Sequence, residues 1–314
     1  MPQQQWLVTA DGGAWANEGL SRELRVAAQP LMRFLQPGFV RIEKDYGKGK
    51  SDKINFDKVS NVQTEGRAVA EDEISPKTKV QTYKGEIIVS EYMNAIDYTG
   101  KLELLSQFSP DNIIHRALRD DMAKVRDKAA AAAFQKTKLV YVPTGTLAAP
   151  TYTLYTTGTP LVASTRGIST YDVKVINRLM KIYNIPLFDG QNFMAVGSVN
   201  GFADLSDDPT FERAALYGDP ERLFTGEIKN YSGVRFLEEN NSLNGSLPGG
   251  CGEVIFFGAD PAVQGLAMAP EIRYDIPRDF GRQKGLCWIS LEGFEITWDY
   301  ETEGETHVLR VYSA

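Results

Sequence analysis

Residues 109–138, SPDNIIHRALRDDMAKVRDKAAAAAFQKTK, carry the strongest structural signal in the chain. Ser109 suits an N-cap, Pro110 suits the first helical position, and Asp111 places a negative charge at the positive end of a helix. Apolar residues then recur at spacings of three and four, which is typical of a buried helix face. These residues are Ile114, Leu118, Met122, Val125, Ala129 and Ala133. We predict one helix over 110–136, roughly 40 Å long, that forms the backbone of a domain.

The segment before this helix, residues 38–92, has a different character. Strand-like stretches alternate with turns rich in glycine and charged residues, and they contain too few apolar residues for a compact core. The stretches are FVRIEKDY (39–46), INFDKVS (54–60) and KVQTYKGEIIVSEY (79–92). A two-stranded ribbon is marginally stable by itself, so it should rest on something else. We predict an extended loop that contacts a partner.

The stretch GKGKSDK (47–53) contains a Gly-Lys-Ser triplet, which is part of some phosphate-binding loops. Such a loop also needs a glycine at position 44, where this chain has Lys44, and a helix after the triplet. Strand-like residues lie on both sides instead. The pattern therefore favours a hairpin-like turn with solvated lysines, and it argues against nucleotide binding.

The second half of the chain mixes helix and strand signals. STYDVKVINRLMKIYNIP (169–186) begins with a capping pattern formed by Ser169 and Asp172, which predicts a helix. Further segments have the composition of strands: NFMAVGSV (192–199), GVRFLEE (233–239), GFEITWDY (293–300) and HVLRVYS (307–313). The last two are joined by a turn-like sequence, so we predict that they form a closing hairpin.

The composition is that of an ordinary globular protein. Of 314 residues, 42% are hydrophobic and 24% are charged. The net charge of −7 argues against broad adhesion to nucleic acid. No secretory signal and no apolar run of membrane-spanning length are seen, and Cys251 and Cys287 fit free thiols in a reducing compartment.

Candidate catalytic residues are few. The two histidines, His115 and His307, have no partners at ligand spacing, so structural roles are favoured. Asp204, Asp207 and Asp208 could hold a hard cation, but SDDP before a helical stretch is more typical of a helix cap. We therefore predict a protein that is not an enzyme, with no cofactor and no metal. A hydrolase that uses carboxylates distant in sequence remains an alternative.

Three stretches of the second half form an ordered set of motifs. They are YDVKVINRLMKIYNIPLFDG (171–190), FADLSDDPTFERA (202–214) and LFTGEIKNYSGVRFLEEN (223–240). With the order of extended loop, long helix, mixed region and final strands, the set resembles one branch of the major capsid proteins of tailed bacteriophages. That capsid fold is shared with herpesviruses, and the match spans roughly residues 80–314.

The resemblance implies an α+β fold with five parts. They are an N-terminal arm (1–37), an extended two-stranded loop (38–92), a peripheral domain (93–150) with the spine helix 110–136, an axial domain (151–285), and return strands (286–314) that complete the peripheral domain. The extended loop would lie over a neighbouring subunit. Charged residues of this loop are the candidate subunit-interface residues: Lys48, Lys50, Lys53, Arg67, Glu71, Asp72 and Glu73.

The function implied by the resemblance is structural. Copies of the chain would assemble as hexamers and pentamers into an icosahedral shell around the double-stranded DNA genome, in the host cytoplasm, and would stay in the virion capsid. Expected partners are further copies, a separate scaffolding protein, a portal protein and DNA held by weak non-specific contacts. No membrane contact is expected, and the sequence leaves open whether cement or decoration proteins bind. A shell protein of a cellular nanocompartment is the structural alternative.

Overall fold

A computed structural model describes residues 29–30, 32–36, 38–43, 51–60, 62, 66–71, 73–211, 227–243, 252–276, 279–299 and 306–313. Within these residues the chain forms 13 strands and four α-helices. The helices are α1 (Gly100–Leu105), α2 (Pro110–Phe134), α3 (Thr170–Ile182) and α4 (Val199–Ser206). The strands are β1 (Val40–Glu43), β2 (Lys53–Val59), β3 (Thr82–Ile88), β4 (Ser90–Thr99), β5 (Val140–Gly145), β6 (Pro150–Tyr155), β7 (Phe193–Ser198), β8 (Glu227–Tyr231), β9 (Val234–Glu239), β10 (Gly252–Phe257), β11 (Ala262–Tyr274), β12 (Gln283–Ile296) and β13 (Val308–Ser313).

The strands form three sheets. A four-stranded sheet has the order β1-β11-β12-β4, with β1 parallel to β11 and the other pairs antiparallel. A seven-stranded sheet has the order β6-β5-β13-β10-β7-β9-β8 and contains two parallel pairs, β13 with β5 and β7 with β9. Strands β2 and β3 form a separate antiparallel ribbon.

Helix α2 connects the two large sheets, and it is the long helix that the sequence predicted. It begins at Pro110 after the N-cap Ser109 and ends at Phe134, two residues earlier than expected. In its first half, Ile114 and Leu118 pack with Trp288 of β12 on the four-stranded sheet. The alanines at its end and Phe134 pack against one face of the seven-stranded sheet. The alanines allow this close approach while they favour helix.

Helices α3 and α4 cover the opposite face of the seven-stranded sheet. Their apolar residues share a cluster with Ala195, Phe236 and Phe256, whereas the neighbouring Met194, Leu237 and Phe257 face α2. This alternation is the period of two that a strand imposes on its side chains. The capping box of Ser169 and Asp172 at the start of α3 is present, as predicted.

Two predicted strand pairings are wrong. Strand β13 does not form a hairpin with β12, because it lies between β5 and β10 in the seven-stranded sheet, and a lone bridge joins Asp299 to Thr306. The strands that flank GKGKSDK do not pair either, since β1 pairs with β11 and β2 pairs with β3. Residues 47–50 of that stretch lie outside the described part of the chain. For β13, the partners that are distant in sequence bury Val308, Leu309 and Val311 completely.

Two of the predicted domain boundaries fall inside single strands. The boundary after residue 92 divides β4, and the boundary after residue 285 divides β12. The predicted return segment (286–314) contributes strands to both large sheets, because β12 lies in the four-stranded sheet and β13 in the seven-stranded sheet. We therefore propose a peripheral unit of α2 with the four-stranded sheet and an axial unit built on the seven-stranded sheet.

Candidate assembly surface

The β2–β3 ribbon is the extended loop that the sequence predicted. Seven residue pairs form it, from Lys53 opposite Ile88 to Val59 opposite Thr82. Burial alternates along β2, so Ile54, Phe56 and Lys58 share the face that turns toward the protein. The ribbon therefore has an attached face and a solvent face.

The base of the ribbon packs on the chain's own four-stranded sheet. Ile54 and Ile87 are buried there against Val263 of β11. Two glycines of the sheet permit this contact, because a Cβ atom at Gly265 would collide with Ile54 and one at Gly293 would collide with the backbone of Ile88. The base is thus part of the subunit core.

Lys58 is a second anchor for the ribbon. It is a buried lysine whose Nζ lies 5.9 Å from the ring centre of Trp298 and 5.0 Å from that of Phe56. Burial lowers the pKa of Lys58, although the nearby carboxylates of Asp299 and Glu295 oppose this effect. Cation–π contacts with desolvated cations are worth about 2 kcal/mol, so Lys58 helps to hold the ribbon on the body.

The tip of the ribbon behaves differently from its base. Every described residue from 62 to 81 is exposed, and four of them are large and apolar. They are Val62, Val69, Ile74 and Val80, with Ile74 85% exposed. Four large apolar side chains exposed in one segment are a surface that a neighbouring molecule could cover.

Of the seven predicted charged residues, the four that the structure describes lie along this ribbon and are not gathered at one point. Lys53 forms an ion pair with Glu86 across the two strands, and Arg67 forms one with Glu73 in the tip. The hydrogen bond and the charge of Glu86 raise the pKa of Lys53. Glu71 is exposed. Lys48, Lys50 and Asp72 lie outside the described residues.

A second exposed surface lies at the far end of the four-stranded sheet, and no pattern in the sequence predicted it. A 3-10 turn, Asp279–Gly281, precedes β12 and has positive φ at all three residues. Phe280 of this turn is fully exposed, and Leu104 and Leu105 of α1 are exposed beside it. The turn and α1 line a cavity of about 840 Å³ that is open to solvent. The sequence does not mark this surface, because Leu104, Leu105 and Phe280 are residue types that are equally common in a core.

His115, His307 and Ser198 have structural partners. His115 Nε2 lies 2.8 Å from Tyr274 Oη, and His307 is buried with Nδ1 2.8 Å from Ala259 O. Burial lowers the pKa of His307. Ser198 is the N-cap of α4, where its Oγ accepts hydrogen bonds from the backbone N–H groups of Gly201 and Glu253 at 3.0 and 3.1 Å.

The aspartates near the end of α4 bind backbone groups. Asp204 accepts a hydrogen bond from Gly167 N at 3.1 Å, and Asp208 accepts bonds from Thr170 N and Thr210 N. Asp208 thus caps the residues that follow it, as the sequence indicated. Among the described residues, no three histidine, cysteine or acidic side chains converge on a metal site. No helix in the described ranges has the length and apolar character needed to cross a membrane.

Comparisons with solved structures identify the fold. The chain resembles the capsid of cyanophage Pam1 with a TM-score of 0.70 and 16% identity, over 99% of this chain and 98% of that one. It resembles the capsid of Ralstonia phage GP4 with a TM-score of 0.67 and 13% identity, over 95% and 96% of the two chains. For the capsid of Helicobacter pylori bacteriophage KHP30, the TM-score is 0.69 at 11% identity, over 95% of each chain.

The likeness is one of structure rather than of sequence. No protein-family model matches the chain. A comparison with curated protein sequences finds none that is significantly similar. The matched structures nevertheless cover almost the full length of both chains, including the ribbon, the long helix and both large sheets. The chain has the α+β fold of tailed-phage major capsid proteins, as the resemblance predicted.

Proposed function

We propose that this protein is a capsid shell protein, which assembles through many copies of itself into a closed shell around a double-stranded DNA genome. The observation that carries the proposal is the exposed apolar surface of the extended loop. Large hydrophobic residues are exposed all along it and on its flanks: Ile42, Val59, Val62, Val69, Ile74, Val80, Ile88 and Met93. A neighbouring subunit that covers them would remove this surface from water.

The fold supports the same proposal. The ribbon base is fixed to the subunit body, whereas the tip is displayed, so each subunit can reach over a neighbour without losing its own core. The end of the four-stranded sheet, with Phe280, offers a second surface for contact between copies. Two separate contact surfaces suit a closed lattice, because each subunit must contact several others.

The finer parts of the proposal follow from the capsid fold. The subunits form hexamers and pentamers, assembly occurs in the host cytoplasm with a separate scaffolding protein, and a portal protein occupies one vertex. The charged loop residues, including Lys53, Arg67, Glu71 and Glu73, contact the neighbouring subunit. The net charge of −7 fits a shell that holds DNA by weak non-specific contacts. The role is structural, without catalysis.

Expression of the full chain, alone and with the scaffolding protein encoded beside it, tests the proposal. Sedimentation velocity and electron micrographs should show rings or shells at high protein concentration. A monodisperse 34.9 kDa monomer under all conditions would overturn it. Genes for a terminase and a portal beside this gene would support a phage shell, whereas a gene for a cargo enzyme would favour a nanocompartment.

A further inference from the structure

The exposed face of α3 carries only positive charge. Lys174, Arg178 and Lys181 follow one another at spacings of four and three, which places them on one side of the helix, and all three are exposed. The one carboxylate of α3, Asp172, is buried and paired with Arg166. Among the side chains that the structure describes, none of the three cations forms an ion pair with a carboxylate, and Lys174 Nζ lies 6.0 Å from the ring centre of Tyr231. In a chain of net charge −7, such a surface is distinctive.

The helix that displays these cations is held firmly. At its start, Tyr141 Oη donates a hydrogen bond of 2.6 Å to Asp172, and Arg166 binds the same carboxylate. Near its middle, Asn177 donates a hydrogen bond to the backbone oxygen of Ser232 in the turn between β8 and β9. The basic surface is therefore presented on a rigid element, as a specific contact requires.

An acidic surface lies at the other end of α3. Asp204, Asp207 and Asp208 follow one another near the end of α4, and Asp208 Oδ2 binds Thr170 Oγ1 at 2.7 Å. Among the side chains that the structure describes, no Lys or Arg forms an ion pair with these three carboxylates. From Thr170 to Lys181 the helix extends about 16 Å. Both surfaces lie on the same side of the seven-stranded sheet, since α3 and α4 cover the same face.

We propose that the basic surface (Lys174, Arg178 and Lys181) of one subunit binds the acidic surface (Asp204, Asp207 and Asp208) of a second copy in a head-to-tail contact within a ring. The proposal rests on the shell function proposed above and names the contact that orders subunits around the ring. The basic surfaces of two copies repel each other, and so do their acidic surfaces. A head-to-tail arrangement instead places the basic surface of one copy against the acidic surface of the next. A nucleic acid fits less well, because its phosphates would approach the acidic surface beside α3.

Charge reversal in the full chain tests the contact. The basic-reversed variant is Lys174→Glu/Arg178→Glu/Lys181→Glu, and the acidic-reversed variant is Asp204→Lys/Ser206→Lys/Asp207→Lys. The assembled fraction of each variant alone should be at least about tenfold lower than that of the wild type at about 0.1 M salt. A 1:1 mixture of the two should regain assembly, and so should a chain that carries all six substitutions. The swap Lys174→Arg/Arg178→Lys/Lys181→Arg preserves the charge and should assemble normally.

The mixture has a further signature. Each variant carries the same sign of charge on both of its surfaces, so the two variants must alternate around a ring. An even number of subunits can alternate, so six-membered rings can close and five-membered rings cannot. Without five-membered rings, flat sheets or tubes should replace closed shells. If the acidic-reversed variant fails to fold by circular dichroism, Ser206→Lys/Asp207→Lys keeps the Asp204 and Asp208 hydrogen bonds. That milder variant only neutralises the acidic surface, so it should lose assembly without rescuing the basic-reversed chain.

Several results would overturn the contact. Normal assembly of the basic-reversed variant would do so, as would mixtures that remain unassembled or form dimers only. If that variant assembles normally but no longer binds a labelled DNA duplex, the occupant of the basic surface is nucleic acid. A wild-type chain that never assembles would instead refute the shell function, and the contact with it.

Discussion

Two buried carboxylates on helices show how single residues fix distant parts of the chain. Asp172 is held by Arg166 and Tyr141, and these hydrogen bonds keep its pKa below the ordinary value although burial alone would raise it. Asp127 of α2 has different partners. It accepts hydrogen bonds from Phe34 N and Leu35 N at 2.9 and 3.3 Å and from the side-chain amide of Asn241. No described cation compensates it, so burial raises its pKa.

The raised pKa of Asp127 predicts a pH effect on stability. The folded chain binds a proton at Asp127 more tightly than the unfolded chain does, so the contribution of Asp127 to the free energy of unfolding rises as the pH falls through the folded pKa. Asp127→Asn cannot titrate. Denaturant unfolding at a series of pH values from about 7 down to about 4, near the ordinary carboxyl pKa, should therefore show the wild type gaining stability relative to this variant on acidification. A difference that stays constant, or moves the other way, would contradict the assignment.

Leu118 tests the apolar face of α2. It is 0% exposed and packs against Trp288. Leu118→Asp would bury an unpaired charge there and should lower the free energy of unfolding by about 4 kcal/mol or more. Leu104, which is 86% exposed on α1, provides the control, since Leu104→Asp should change the unfolding midpoint little. Equal midpoints for the two variants would mean that α2 does not pack as described.

At the scale of elements, local signals predicted helices better than strand partners. Ser109, Pro110 and the apolar spacing placed α2 within two residues, because caps and periodicity act over a few residues of sequence. Strand β13 had the right alternation, but its partners β5 and β10 are distant in sequence. Partner choice depends on which surfaces become buried together, which no short stretch of sequence encodes.

The sequence predicted the extended loop of the candidate assembly surface but not the exposed apolar residues of that surface. The length and charge of the loop marked it as a contact element, and Lys53, Arg67 and Glu73 lie on it as expected. The exposed Ile74 and Phe280 were missed. Their exposure follows from the packing of the whole subunit, and the same residue types would otherwise indicate core.

The ribbon tip should be dispensable for folding and necessary for assembly. Ser60 N donates a hydrogen bond of 3.0 Å to Gln81 O, so a short Gly-Ser turn can replace residues 62–80 without disturbing β2 and β3. Circular dichroism and the unfolding midpoint should match the wild type, while shells should be absent from micrographs. A Gly-Ser segment of the full tip length serves as the control for chain length and should also fail to assemble. An unfolded variant would show that the tip belongs to the core, and normal shells would show that it makes no essential contact.

At the scale of the whole molecule, two exposed surfaces lie at different places on the four-stranded sheet, and α2 ties that sheet to the seven-stranded sheet. The ribbon tip is one such surface, and the turn Asp279–Gly281 with α1 is another. Arg126 of α2 binds buried Glu292 of β12 through two hydrogen bonds of 2.7 and 3.1 Å, which ties the helix to the four-stranded sheet.

Phe280 should matter for assembly but not for folding. Its ring is fully exposed and touches no core cluster of the described residues, so Phe280→Ser should change the free energy of unfolding by no more than about 0.5 kcal/mol. The assembled fraction measured by sedimentation should fall, because an apolar contact between copies is lost. Phe280→Leu retains the apolar character and should assemble more fully than the serine variant. Equal assembly by both variants and the wild type would exclude this turn from the contacts.

An icosahedral reconstruction by electron cryomicroscopy of the assembled full-length protein tests the central claim most directly. We predict a closed shell of six- and five-membered rings in which the ribbon tip, residues 62–80, is covered by a neighbouring subunit while its base stays on its own four-stranded sheet. A shell in which the tip remains in solvent, or a protein that forms no shell at all, would contradict the account.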